Sequence, residues 1–176
     1  MKQLSWKSNI KHAKLEYLIK ELDPTQDLSR GGITNRAIIV ANDMTKEMSE
    51  EEKGNWWEKV AKKIPELNKF VVELSVPTAM QVKLEDENEA KFEIISDNIK
   101  KALGLEVLQT QYEIQTLWMS YYSWLKEKAI KVGSEKEGDI TGPDLVKRLV
   151  QILLLNRESD EEIIEEIKAA LLRWEN

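Results

Sequence analysis

The chain has 176 residues, 41% hydrophobic and 33% charged, with no cysteine and a formal net charge of −6. That length can enclose a sizeable core in one domain. The composition excludes a disordered chain, and the lack of thiols excludes a disulfide framework, thiolate catalysis and a Cys-ligated metal. No run approaches the roughly eighteen apolar residues of a membrane span, and the opening MKQLSWKSNIKH has no apolar signal-peptide core, so the sequence predicts no membrane segment and a cytoplasmic location. The 24 Glu and 21 Lys against 8 Asp and 5 Arg are a thermophile-like usage. Residues 1–70 hold 13 Lys/Arg against 11 Asp/Glu, a net of +2, and residues 71–176 hold 13 against 21, a net of −8. A polyanion would therefore meet attraction only near the start of the chain.

Residues 5–22, SWKSNIKHAKLEYLIKEL, read as an amphipathic helix. Trp6, Ile10, Ala13 and Tyr17 form one apolar line and Leu15, Leu18 and Leu22 another, with Lys7, Lys11 and Lys14 on a basic line beside them. His12, the lone histidine, falls on the flank and reads as a surface residue. Asp23-Pro24 ends the helix, and PTQDLSRGG follows as a loop in which Gly31 and Gly32 are free to turn. Thr34 predicts an N-cap for a helix to about Met48 that buries Ala37, Val40, Ala41, Met44 and Met48. Ser49 with Glu52 is a capping box, opening a helix to Ile64 whose core face is Trp57, Val60, Ala61 and Ile64.

From Val72 the apolar period shortens to two. Val72, Leu74, Val76, Met80, Val82 and Leu84 alternate with mostly polar residues, with a break at Pro77. A turn at Asp86-Glu87-Asn88, with Asn88 left-handed, would pair Leu84 with Ala90 and Val82 with Phe92, a small β-hairpin over about 80–94. The competing pattern is one helix over 86–103 on Phe92, Ile95, Ile99 and Leu103. Ser96 favours the hairpin, as the cap of a short helix 97–103 ending at Gly104.

Residues 105–132 are the organising stretch, free of Pro and Gly and carrying Tyr112, Trp118, Tyr121, Tyr122 and Trp124. Ile114, Leu117, Trp118, Tyr121, Leu125, Ala129 and Val132 define one helical face, and Leu108, Tyr112, Met119 and Tyr122 widen it. So broad a stripe predicts a central helix contacted from at least two directions, its rings forming core; the other use of such rings is stacking against nucleic-acid bases. GSEKEGDITG then reads as a loop. Pro143 opens a helix to about Asn156, with Leu145, Leu149, Ile152 and Leu153 inward, and Ser159 with Glu162 caps a last helix burying Ile163, Ile167, Ala170, Leu171 and Trp174.

Catalytic chemistry is hard to assemble from these residues. One histidine has no partner base or nucleophile, no phosphate-cradling glycine motif occurs, and the carboxylates of 159–166 spread along a helix face instead of converging. The expectation is a non-enzyme with no catalytic residue, no cofactor, no metal and no small-molecule substrate. Two features rise above this background. Trp56 stands about 100° round the helix from Trp57, so when Trp57 packs inward Trp56 lies near the edge as an interface anchor. The Lys7/Lys11/Lys14 line could be extended by Lys59, Lys62 and Lys63, and Arg30 sits in an Arg-Gly-Gly able to approach a phosphate. Lys7, Lys11, Lys14, Arg30, Trp56, Lys59 and Lys63 are therefore the candidate partner or nucleic-acid contacts. The sequence predicts a mainly α single domain, 1–176, of about six helices around 105–132 with one small β-hairpin. Its predicted function is a non-catalytic protein–protein interaction or assembly subunit, with a protein partner or homo-oligomer. The alternative is a nucleic-acid-binding helical subunit using the N-terminal basic face.

Overall fold

A computed structural model describes residues 1–22 and 29–135, with side chains described as far as residue 128. Asp23-Pro24 and the helices expected at 143–156 and 159–174 lie outside the described residues. The chain divides into two compact units, Met1–Trp124 and Leu125–Asn176. The described residues are mainly helical with one small two-stranded antiparallel sheet.

The first element is a strand, not a helix. In β1 (Gln3–Lys7) burial alternates, with Leu4 and Trp6 inward and Gln3, Ser5 and Lys7 outward. Asn9 separates β1 from α1 (Ile10–Leu22): its Oδ1 accepts the backbone N–H of Lys11 at 3.0 Å and of His12 at 3.4 Å, an N-cap placed inside the expected helix. The apolar line Trp6–Ile10–Ala13–Tyr17 is thereby broken, and Ile10 is exposed. His12 is fully buried, contrary to its surface reading.

The next helix, α2 (Arg30–Thr45), is capped by Ser29, whose Oγ accepts the Gly32 N–H at 3.1 Å. Gly31 and Gly32 are thus in the first helical turn, not in a loop, and Thr34 is an interior residue whose hydroxyl bonds back to the Arg30 carbonyl at 2.8 Å. Ala37 and Ala41 are buried as expected, Ile33 and Ile38 join them, and Val40, Met44 and Met48 are half-buried. The capping box of Ser49 and Glu52 opens α3 (Glu50–Lys63), with Glu50–Glu52 at its positive end and Lys62 and Lys63 at its negative end. Trp57, Val60 and Ala61 form its buried face, and a 3-10 helix, Ile64–Lys69, continues it through Pro65.

The hairpin expected over 80–94 is not formed. Strand β2 (Ala79–Lys83) pairs antiparallel with β1, Gln3 opposite Lys83 and Lys7 opposite Ala79, and residues 86 onward are α4 (Asp86–Leu103). Helix wins because Phe92, Ile95 and Ile99 bury on one face while Ala90 and Ile94 are exposed. A tertiary bond fixes the outcome, since the fully buried Asn88 donates Nδ2 to Asn35 Oδ1 at 3.2 Å. Asn35 also accepts the Glu85 N–H at 3.0 Å and donates to the Lys83 carbonyl at 3.1 Å, latching α2, β2 and α4 together. Ser96, instead of capping a helix, lies inside α4 and bonds the Phe92 carbonyl at 2.9 Å. Gly104 ends α4 in the left-handed conformation, φ 63°, as the sequence predicts.

The central helix, α5 (Thr110–Glu135), starts five residues later than expected, leaving Leu105 and Val107 exposed. Every residue from Glu113 to Ser123 is buried, so its turns are contacted all round. Trp118 shows how. Its Nε1 donates to Thr34 Oγ of α2 at 3.0 Å, and its ring meets Trp6 of β1 and His12 of α1 edge-on at 6.3 and 6.0 Å. Trp118, Tyr121 and Tyr122 are core, and Tyr112 and Trp124 are half-buried.

Candidate interaction surface

The structure separates the lysines that the sequence aligned. Lys7 is exposed on the outer face of β1, and Lys11 is half-buried at the start of α1. Lys14 is buried and donates its Nζ to the Leu67 carbonyl at 2.9 Å, where it supports the last turn of the 3-10 helix. Arg30 is held by Glu16, Nε to Oε2 2.9 Å, and Glu16 also receives Lys20 at 2.9 Å. Burial, the largest single influence on the Glu16 carboxyl, pushes it up, but the hydrogen bonds and charges of Arg30 and Lys20 together outweigh it and hold the group below its usual range.

Lys59, Lys62 and Lys63 do come together, lining an open groove of about 420 Å³ with Asn55, Glu58 and Glu66. The groove is of mixed sign. Lys62 pairs with Glu58 at 3.5 Å and Lys63 reaches Ser123 Oγ at 3.5 Å, so part of the groove's positive charge is engaged within the protein. Trp56 is half-buried, and its Nε1 is shielded from solvent without a hydrogen-bond partner among the described residues.

Two buried titratable groups were not legible in the sequence. His12 accepts the Asn9 N–H at Nδ1, 3.3 Å, and its Nε2 lies 3.1 Å from the Gln111 carbonyl, an arrangement that requires the neutral ring with its proton on Nε2. Burial lowers its pKa to about 4, the Gln111 carbonyl opposing weakly. Glu113 is buried against Ser96, and burial raises its pKa. Ser96 Oγ donates to the Glu113 carboxyl and shares its proton with the Phe92 carbonyl 2.9 Å away, a hydrogen bond that opposes the upward push of burial. Both groups are buried, and each is hydrogen-bonded to another part of the protein. Among the described residues there is no cluster of three metal-ligating side chains and no helix long and apolar enough to cross a membrane.

The surface that sequence reasoning did not single out is the segment 70–78 before β2. Its burial alternates over 70–75, with Phe70 buried, Val72 and Leu74 half-buried and Val71, Glu73 and Ser75 exposed, and the alternation then stops, Val76 and Thr78 being exposed and Pro77 half-buried. It is strand-like, yet among the described residues no backbone hydrogen bond engages 71–77. The reason lies in β1. The ladder's last bond runs from Ser8 N to Thr78 O at 3.2 Å, and one residue further Asn9 caps α1, so the residues that would continue opposite 71–77 have become helix. Val71 is 85% exposed and Val76 41%. The signal was present in the sequence as the alternation of Val72, Leu74 and Val76; the missing partner was not.

No protein family, curated protein or solved structure matches the chain.

Proposed function

We propose that this protein is a non-catalytic protein–protein interaction or assembly subunit, and that its contact surface centres on the strand-like segment 70–78. The observation that carries this reading is an apolar stretch, alternating in burial over 70–75, in which the backbone groups of 71–77 make no hydrogen bond among the described residues. Natural sheets protect such edges with lysines, bulges or a covering element, whereas 70–78 carries one charge, Glu73, and one proline, Pro77. Trp56 is a second, smaller candidate contact on α3.

A nucleic-acid-binding role ranks second. It draws on Lys59, Lys62 and Lys63 in their shared groove, but Lys14 and Arg30 are already engaged inside the protein. Size-exclusion chromatography with light scattering, run with and without nucleic acid at low salt, separates the two. A defined assembly indifferent to nucleic acid supports the proposal. A nucleic-acid complex that dissolves steeply as salt rises overturns it.

A further inference from the structure

We infer that the peptide bond between Glu73 and Leu74 is a selective processing site for an endopeptidase that cuts after glutamate, and that the two products, 1–73 and 74–176, stay associated as a folded pair. The inference stands on the accessibility of the backbone and not on the interaction reading above, which the assembly measurement tests by itself.

An endopeptidase holds its substrate as an extended strand, through backbone groups on both sides of the bond it cuts. A bond inside a helix can be held that way only after several intrachain hydrogen bonds have opened. The backbone groups of 71–77 make no hydrogen bond among the described residues, so lifting this stretch gives up only the partial burial of Val72, Leu74 and Pro77. Its ends are fixed by the Phe70 N–H, bonded to the Leu67 carbonyl, and by the Thr78 carbonyl, bonded to Ser8 N–H. Glu73–Leu74 is the middle of the free stretch, with three residues of it before the bond and four after. Pro77, which has no N–H to offer an enzyme, stands three residues past Leu74 and clear of the bond.

Charge selects the enzyme class, because Glu73 is exposed and is the one ionisable side chain of 71–77. Other exposed glutamates stand on backbone that is already held. Glu58 and Glu93 lie within α3 and α4. The Glu85 N–H is bonded to Asn35 Oδ1. Glu106 has only three residues of slack, between Leu105, whose N–H meets the Lys100 carbonyl, and Gln109, whose carbonyl accepts from the first turn of α5.

The halves stay together because many contacts cross the cut. The first product keeps β1 and the second β2, and these share a five-residue ladder. Asn35 of the first bonds Lys83, Glu85 and Asn88 of the second, Thr34 accepts Trp118 Nε1–H, and α3 packs on α4. Hydrolysis adds one water across the bond, leaving an α-carboxylate on Glu73 and an α-amino group on Leu74, and removes none of these contacts.

The test is limited digestion of the native full chain with a glutamate-specific endopeptidase, the fragments being read by mass. Fragment 1–73 should appear roughly 100-fold faster than fragments ending at Glu58 or Glu93, since helical sites must first unfold. Glu73→Gln should abolish that fragment and leave the other cuts at their former rates. The nicked protein should elute as one species and keep its helical circular dichroism. Its melting midpoint should fall more steeply on dilution than that of the intact chain, because two chains must now meet to fold. Absence of fragment 1–73, or cuts after Glu58 or Glu93 at the same rate, overturns the site. Products that separate in native buffer overturn the association.

Discussion

Lowering the pH should destabilise the fold through His12, and the size of the effect follows from where the ring sits. The imidazole is enclosed between Trp6 and Trp118, its Nδ1 facing an N–H donor and its Nε2 a carbonyl. Adding a proton would set Nδ1–H against the Asn9 N–H, donor against donor, in a site without solvent. The folded pKa of about 4 lies below the ordinary 6.5. The neutral form is therefore the stabilising one: its contribution is complete above pH 6.5 and is lost as the pH falls from there toward 4. A displacement of that size corresponds to about 3 kcal/mol at most, using about 1.4 kcal/mol per pH unit. The assay is urea unfolding between pH 7.5 and 4.5 on the natural chain and on His12→Gln, which can keep an amide donor toward Gln111 and an acceptor toward Asn9 but does not titrate. The natural chain should lose about 2–3 kcal/mol more than the variant across this range. Parallel curves for the two proteins would show that His12 does not titrate differently on unfolding, and would refute the reasoning.

Glu113→Gln should raise stability at neutral pH, because a carboxyl whose folded pKa is raised is destabilising above that value; the gain should shrink as the pH falls and Glu113 takes up its proton. Unfolding midpoints at pH 7.5 and 5 check it, and a variant less stable than the natural chain at both would contradict it. Lys14→Glu should cost about 3 kcal/mol or more, burying a carboxylate beside the Leu67 carbonyl, whereas Lys7→Glu on the outer face of β1 should change stability by less than about 0.5 kcal/mol. Equal effects in denaturant titrations would mean that Lys14 is not committed to the interior. Asn35→Ala, which strands the Glu85 N–H and leaves Asn88 Nδ2 only its 3.4 Å bond to Glu85 Oε2, should cost about 2–4 kcal/mol by the same measurement, and a loss within experimental scatter would mean the latch is not a latch.

What could be read from the sequence was local. Ser49 and Glu52 are three residues apart and answer only to each other, so the start of α3 was legible. The burial of α5 was legible because its apolar stripe was too wide for any one-sided contact. Trp6 and Phe92 fit a period of two and a period of 3.6 equally well, and the choice was made elsewhere. For Trp6 it was made by Asn9 capping α1, and for Phe92 by Asn88 reaching Asn35. Lys14 and His12 looked like surface residues because the carbonyls they meet, at Leu67 and Gln111, are 53 and 99 positions away. The alternation at 72–76 was visible, but its lack of a partner depended on where β1 stops.

The pairing of β1 with β2 also has a consequence in time. Lys7 and Ala79 are 72 positions apart, so closing that loop costs about 4 kcal/mol of chain entropy, more than a five-residue ladder returns unaided. The sheet must therefore wait until α1–α3 have condensed and brought its strands within reach. During synthesis at about 5–20 residues per second, Leu4 and Trp6 emerge on the order of 4–14 seconds before β2 exists to receive them. For that interval the inner face of β1 is an uncovered apolar surface on a nascent chain. A chaperone that grips short extended segments would find this protein at its first strand, well before the fold gives that strand anything of its own to hold.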